Sequence, residues 1–322
     1  MQSNLLVIDA NSLLYAAQDA PKLTCNGQEV QAIYGFIRKL RHIMTERSSY
    51  MPLVLWDGRA KWRFDLWPQY KGNRRSTPDQ VAMKEAVKAQ RPEVMKILAT
   101  LGVTQMVPST SEADDLAAHI VQNCEYNRVL LVTGDRDWWQ LINERVYWLD
   151  VRREGKYVNH QTFVENAGFA NTRQFVHAKA LKGDTSDNIP GVGKIGEAYA
   201  KKLFEQAPGV RSFLKKCKSG EIDVAKLPKC LRDFAANETP KPSTKWGEMP
   251  PMQAAFVRNM KLMDLSLCEL DTAQIKRFRK APDLNAFAEH LMALNFISLL
   301  QEPQWADPFV RSYEKHRHSI II

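Results

Sequence analysis

A chain of 322 residues is long enough to bury a sizeable core, as one large domain or two intimate ones. Its 44% hydrophobic and 25% charged residues are ordinary for a globular protein; no apolar run reaches membrane-spanning length, and the first strand-like segment lacks a signal-peptide pattern. The formal charge of +9 suggests a polyanionic partner, while Cys25, Cys124, Cys217, Cys230 and Cys268 form no CxxC pair or zinc-type cluster and fit reduced thiols in a cytoplasm.

The run "NLLVID" (4–9) is an apolar strand ending in an acid. A helical pattern follows over 30–47, and "MPLVLWDG" (51–58) repeats the strand design, ending in Asp57. Helical spacing over roughly 79–101 and 112–123 precedes "RVLLVTGDRD" (128–137), which ends in Asp135 and Asp137, and "RVYWLD" (145–150) reads as a fourth strand. Continuous apolar strands alternating with helices predict an α/β fold with a mostly parallel central sheet. Ligands of such sheets lie beyond the carboxyl ends of the strands, so Asp9, Asp57, Asp135 and Asp137 are expected to converge. From about 161 to 234 the pattern is of short helices joined by glycine-rich turns. Residues 237–251, with four prolines, read as an irregular loop, and 252–300 as helical again. The tail "KHRHSIII" has no readable pattern, and its His316 and His318 are expected to be solvated.

In "TSEADDLAAHIV" (110–121), Glu112, Asp114 and Asp115 crowd the start of a predicted helix. Ser111 with Asp114 resembles a capping box, and acids suit the positive end of a helix dipole. A strand-end aspartate taken singly is most often a turn or cap residue. Several converging ones are costly, because two like charges 4 Å apart repel by about 4 kcal/mol at an effective dielectric of about 20. Either they are protonated or paired with Lys or Arg, or they hold hard divalent cations such as Mg²⁺. The acidic segments contain one internal cation, Arg136, which would point away from its neighbours if the strand continued.

Asp184 and Asp187 in "LKGDTSDNIPGVGKIGEAYAKKLF" (181–204) are close enough in sequence to face one ion. Gly191, Gly193 and Gly196 permit a tight hairpin whose N–H groups approach a phosphate, and Lys194, Lys201 and Lys202 add cations; the plainer reading is a helix–turn–helix corner. "AKWRFDLWPQYKGNRR" (60–75) interleaves Lys61, Arg63, Lys71, Arg74 and Arg75 with Trp62, Phe64, Trp67 and Tyr70, a composition suited to unpaired bases and phosphates. One of Trp62 and Trp67 is expected in the core, whereas "YKGNRR" has no apolar side to bury.

Taken in order, "VID", "WDG", "YKGNR", "EADDLAAHIV", "TGDRDW" and "GDTSDNIPGVGKIG" resemble the 5′-nuclease (flap endonuclease) superfamily, especially T5-type phage exonucleases and the 5′-nuclease domain of bacterial DNA polymerase I. With "FVRNMKLMDLSLCEL" (256–270), the resemblance covers about residues 4–270 and leaves the tail after about 300 outside. It implies a PIN-like core over 1–160 with a helical arch at about 60–95, a helical DNA-binding region over 161–300 with a helix–three-turn–helix hairpin at about 181–205, and a tail over 301–322. It assigns one metal cluster to Asp9, Asp57, Glu112, Asp114 and Asp115, and a second, partly through water, to Asp135, Asp137, Asp184 and Asp187. It puts Lys71 and Arg74 at the arch base, with Lys71 stabilising the transition state and Tyr70 stacking on a nucleobase. It implies two Mg²⁺ ions, with Mn²⁺ as a substitute and K⁺ at the hairpin.

The implied activity is 5′–3′ exonuclease and 5′-flap endonuclease action on DNA, by a monomer in a bacterial or phage-infected cytoplasm, beside a separate polymerase or single-strand-binding protein. Lys194 stands where the family's hairpin usually has glycine, Ala198 where it has lysine, and Ala16 where an arginine is common. A PIN-like ribonuclease, RNase H-type primer removal and a catalytically inactive DNA-binding scaffold are the alternatives.

Overall fold

The computed structural model describes residues 3–73, 77–152, 155–268 and 270–319. The chain opens with β1 (Asn4–Asp9) and α1 (Ala10–Gln18), then a small antiparallel hairpin, β2 (Thr24–Cys25) and β3 (Gln28–Glu29). There follow α2 (Gln31–Glu46), β4 (Tyr50–Leu55), α3 (Lys61–Leu66), α4 (Pro78–Thr100), β5 (Thr104–Pro108), α5 (Ala113–Asn123), β6 (Arg128–Val132), β7 (Val146–Asp150) and β8 (Lys156–Val158). Helices α6 (Phe163–Ala167), α7 (Thr172–Lys182), α8 (Glu197–Gln206), α9 (Val210–Ser219), α10 (Lys229–Ala235) and α11 (Met252–Met263) come next. The chain closes with β9 (Ile275–Phe278), α12 (Leu284–Ala293), α13 (Ile297–Gln301) and α14 (Asp307–His316). Among the described residues no helix is long and apolar enough to cross a membrane.

These elements form two compact units. The core unit comprises Met1–Ala60, Ser76–Asn159 and Leu270–Ile322, and the helical unit Lys61–Arg75 with His160–Glu269. The contiguous division expected from sequence is corrected on both sides. Among the described residues, 61–73 pack with the helical unit, and the chain returns after 270 to the core unit.

The core unit is built on one sheet of order β8-β7-β6-β1-β4-β5-β9. The five central strands are parallel and the two edge strands antiparallel. Leu5 to Ile8 are buried on both faces, as the continuous apolar run requires. On α2, Ile33, Phe36, Ile37, Leu40, Ile43 and Met44 recur at helical spacing and are buried. Phe36 stacks on Trp56 at 6.4 Å between ring centroids, and the Trp56 indole N–H donates to Gln105 at 3.0 Å, so this buried polar group is satisfied. Thr77 and Gln80 form the reciprocal capping box that starts α4, with Pro78 in its first turn.

The helical reading of 252–300 fails at 275–278, where β9 pairs with β5. The tail also packs. Trp305 stacks between Phe287 (5.4 Å) and Phe309 (5.8 Å), and all three belong to the core-unit cluster. His316, expected in solvent, is 5% exposed: the last turn of α14 turns it inward, and Ser3 lies 3.1 Å from Nδ1. His318 is exposed.

Burial, reinforced by Lys315 and Arg279, holds the His316 pKa below that of a free imidazole. The folded protein therefore refuses a proton that the unfolded chain accepts below about pH 6.5, and this contribution to stability fades as pH falls through that value. The urea midpoint of His316→Gln is expected to fall less than that of the wild type between pH 7 and pH 5; equal falls would remove His316 as the titrating group.

Candidate active site

In the core unit, Asp9 ends β1 and caps α1. Its carboxylate accepts the Ser12 N–H at 3.0 Å and the Thr133 hydroxyl at 2.7 Å. Asp57 follows β4 and accepts the Ala113 N–H (2.8 Å) and the Asn11 amide (2.5 Å). The cap of α5 is displaced by one residue from the Ser111/Asp114 expectation: Glu112 occupies the N-cap, and Asp115 takes the Glu112 N–H at 2.9 Å. This shift frees Asp114 from capping, and its carboxylate accepts the Trp138 indole N–H at 2.7 Å. Beyond β6 the strand does not continue. Residues 136–141 turn into a 3₁₀ helix capped by Asp135, whose carboxylate accepts the Asp137 N–H at 2.8 Å. Arg136 accordingly lies over the Trp139 ring.

These acids interact strongly. Burial, then Asp57, pushes the Asp9 pKa up to about 6 against the pull of the Ser12 and Thr133 hydrogen bonds. Burial, followed by the charges of Asp135, Asp57, Glu112 and Asp9, pushes Asp114 well above the ordinary carboxylate range. Asp9, Asp57, Glu112 and Asp135 thus act on Asp114, and Asp57 on Asp9, whereas Asp137 is not among the charges that shift either group. Among the described residues, however, no three carboxylate, imidazole or thiol groups are drawn together closely enough to grip one ion. Like charges repel, and each acid leans instead on a nearby N–H or O–H donor.

Sequence reasoning missed the cation beside this set. Arg152 pairs with Asp150 at 2.9 Å and donates to the Gly134 carbonyl at 2.9 Å. A Cβ on Gly134 would lie 1.7 Å from the guanidinium, so the glycine of "TGDRD" makes room for it. The Asp150 hydrogen bond chiefly raises the Arg152 pKa, and Asp135 and Asp9 add to it. Arg91 on α4 also reaches the Asp57 carbonyl at 3.3 Å. The glycine in "TGDRD" was the one available signal for Arg152.

In the helical unit, residues 69–73 are stitched to the 184–188 turn. Lys71 N–H donates to the Asp187 carbonyl (2.8 Å), Tyr70 hydroxyl to the Asp187 carboxylate (3.1 Å), and Asn188 amide to the Gln69 carbonyl (2.7 Å). Asp184 accepts both the N–H and the hydroxyl of Ser186 and pairs with Lys179 at 3.4 Å. Burial pushes Asp184 up, but Lys179 and these hydrogen bonds together outweigh it and hold its pKa low. Tyr70, expected to stack on a base, is instead 3% exposed, packed edge-on against Phe64 with Ile189, Leu262 and Met263. Arg63 is likewise buried, donating to the Leu262 carbonyl at 3.2 Å rather than being held out for phosphate. Arg74 and Arg75 lie outside the described residues. Asp135 and Asp137 belong to one unit and Asp184 and Asp187 to the other.

The hairpin joins α7 to α8. Asn259, fully buried, donates to the Ala180 and Pro190 carbonyls at 2.8 Å each. A Cβ on Gly191 would come within 2.3 Å of the Lys182 carbonyl oxygen, so the backbone strands touch there. Gly193 follows in the turn, and Gly196 stands at the N-cap of α8, which has no side-chain cap. Lys194 is exposed with φ 66°, the left-handed conformation the family's usual glycine adopts freely. Lys201 pairs with Glu197 at 3.0 Å, and Lys202 lies over Tyr199.

A parallel sheet with acids at its strand ends, joined to a helix–hairpin–helix unit, defines a 5′-nuclease class. The chain belongs to the 5′–3′ exonuclease family: the model of its N-terminal resolvase-like domain matches residues 4–168 and that of its C-terminal SAM fold residues 170–239. It is 32% identical over 306 residues to the thermostable DNA polymerase I of Thermus thermophilus, covering 94% of this chain and 33% of that protein. To DNA polymerase I of Mycobacterium bovis it is 34% identical over 220 residues, covering 65% and 24%. The chain therefore spans about a quarter to a third of the length of these curated relatives. In fold it is similar to the T5 D15 protein co-crystallised with metal ions, with a TM-score of 0.64, 19% identity, and 96% and 99% of the two chains covered. It is also similar to human GEN1 in complex with Holliday junction DNA, with a TM-score of 0.60, 12% identity, and 99% and 75% covered.

Two outcomes follow. The metal-free protein keeps a proton on Asp9 up to about pH 6, whereas the unfolded chain releases it near pH 4, so raising pH across that window costs folded-state stability. In EDTA, Asp9→Asn is expected to raise unfolding free energy at pH 8 by up to about 3 kcal/mol, with about half that gain at pH 5; an unchanged or lowered value at pH 8 would contradict the burial penalty. Lys194→Gly should relieve the left-handed strain and raise thermal stability by about 0.5–1 kcal/mol, while weakening duplex binding through the lost cation. A calorimetric scan and a DNA titration measure the two effects.

Proposed function

We propose that this chain is a structure-specific 5′–3′ exonuclease and 5′-flap endonuclease acting on DNA, hydrolysing phosphodiesters to leave a 5′-phosphate. The single observation that carries the reading is the set of mutually repelling acids, with Asp9 raised to about 6 and Asp114 raised well above the ordinary carboxylate range by burial and four neighbouring carboxylates. Such a set of hard oxygen donors fits divalent cations, which would relieve both repulsion and burial. Asp9, Asp57, Glu112, Asp114 and Asp115 would hold one Mg²⁺. Asp135, Asp137, Asp184 and Asp187 would serve a second, partly through water, with Mn²⁺ as a substitute for either. When bound, the ions supply an activated water and charge stabilisation for in-line displacement.

The chain's own groups do the remaining work. Lys71, fixed through its backbone to Asp187, offers a cation to the charge developing on the phosphate. Hairpin N–H groups around Gly191, Gly193 and Gly196, with Lys194, Lys201 and Lys202, bind the duplex backbone, and a K⁺ at the hairpin would add to that grip. Thr133, Asn11 and Trp138 orient Asp9, Asp57 and Asp114. Relatives that carry a polymerase on the same chain suggest a separate polymerase as a functional partner, and a single-strand-binding protein fits the same work. A monomer in a bacterial cytoplasm, the host's if phage-encoded, fits this activity.

A 5′-labelled flap duplex and a matched blunt duplex, each with Mg²⁺ or EDTA, test the reading. Metal-dependent release of a flap-length fragment establishes flap cleavage, and release of mononucleotides from both substrates makes exonuclease action primary. Asp135→Asn should cut turnover by at least about a hundredfold with DNA binding retained. Binding without cutting by the wild type would leave a scaffold, and cleavage of RNA alone would leave a PIN-like ribonuclease.

A further inference from the structure

The proline-rich loop at 237–251 carries a tryptophan that neither the core nor the acid set uses. Within it, Ser243 and Gly247 exchange backbone hydrogen bonds at 3.0 and 2.8 Å, and the Ser243 hydroxyl accepts the Trp246 N–H at 2.9 Å. Gly247 has φ 66°, so the turn is closed and fixes the base of the Trp246 side chain. Trp246 is half-buried, with its ring 6.3 Å from that of Trp67. Trp67 is itself anchored: its indole N–H donates to the Asn188 carbonyl at 2.8 Å, and the Arg258 guanidinium lies 4.3 Å from its ring centre. Arg258 is held in turn by the Asn259 side-chain oxygen at 2.9 Å. On Trp246 the ammonium of the exposed Lys245 sits 4.3 Å from the ring centre. Arg258, Trp67, Trp246 and Lys245 thus form one linked set of cations and indoles, rigid at the Arg258 end and loose at the Lys245 end.

We propose that Trp246, backed by Trp67, is a stacking platform for one unpaired nucleobase of bound DNA, with Lys245 moving off the ring to meet that nucleotide's phosphate. This rests on the reading that the chain acts on DNA. An exposed ammonium–indole contact is worth about a two- to fivefold factor, whereas a base stacked on an aromatic side chain is worth about five- to 150-fold. A base therefore displaces Lys245. A platform already backed by a fixed indole loses little freedom on binding, which is what a stacking site requires.

The test uses the full chain with Ca²⁺ in place of Mg²⁺ to hold cleavage in check. Wild type, Trp246→Ala and Trp246→Phe are titrated with a blunt duplex and with a duplex bearing a single-stranded extension. 2-Aminopurine is placed at successive extension positions. The platform predicts fluorescence quenching at one position for wild type and Trp246→Phe and none for Trp246→Ala. It also predicts a loss of about five- to 150-fold in affinity of Trp246→Ala for the extended duplex alone. An abasic site at the quenched position should make wild type bind like Trp246→Ala. Absence of quenching at every position, equal losses on blunt and extended DNA, or indifference to the abasic site would each overturn the platform. Quenching without Mg²⁺-dependent cleavage would overturn the nuclease reading and leave the platform standing. No binding of either DNA by the wild type would overturn both.

Discussion

A parallel sheet brings the carboxyl ends of its strands to one edge, and this chain places an acid at or just beyond four of them, Asp9, Asp57, Asp135 and Asp150. Negative charge gathered there must be met by something, and much of the surrounding structure answers to that constraint. Thr133, Asn11, Trp138 and backbone N–H groups each donate to one carboxylate, which orients the acids without neutralising them. Arg152 approaches most directly, yet its guanidinium is occupied by Asp150 and the Gly134 carbonyl. The acids keep their mutual repulsion, which with burial raises the pKa values of Asp9 and Asp114.

The helical unit meets a different demand, for tight turns at which its backbone segments touch one another. It uses left-handed residues that are not glycine: Lys71, Asn188 and Lys194 have φ of 55°, 57° and 66°. Each such residue costs on the order of 1 kcal/mol or more, so the surrounding contacts must hold it. Lys71 is held by the Asp187 carbonyl and Asn188 by the Gln69 carbonyl, so two strained residues brace each other across the same pair of segments. Lys194 has a different compensation, a cation presented at the tip of the hairpin.

The strands and helices that sequence revealed are those with one dominant period. β1 ends at the residue expected, and α2, α4 and α5 lie within a residue or two of their expected limits. β5 was missed because "TQMVP" mixes polar and apolar residues without alternation, and β9 because "IKRF" is an edge strand whose basic side chains face outward. Side-chain fate was harder to read than backbone class. Tyr70 and Arg63 carry polar groups that suit DNA, yet Asp187 and the Leu262 carbonyl, both over a hundred residues away in sequence, satisfy those groups in the interior. The one-residue shift of the α5 cap has the same origin, since Asp57 claims the Ala113 N–H from across the sheet. Asp9 keeps its expected place whatever the local caps do, because the end of β1 fixes it.

Acids that repel one another cannot stabilise the unit that carries them, so its stability has to come from elsewhere in the same core. The closing segment supplies part of it. Phe287, Leu291, Leu299, Trp305 and Phe309 are buried in the cluster that includes Trp56 and the inner face of α2, and each fully buried large apolar side chain is worth roughly 1.5–3 kcal/mol. Together they come to about 7–15 kcal/mol, several times the penalty of a few kcal/mol carried by a buried, mutually repelling carboxylate set. The basic edge strand β9, with Lys276 and Arg277, also guards the sheet against pairing with a second copy. Residues after 270 thus belong to the architecture that keeps the acids tolerable, which explains why a segment with no readable motif is packed as tightly as the motifs themselves.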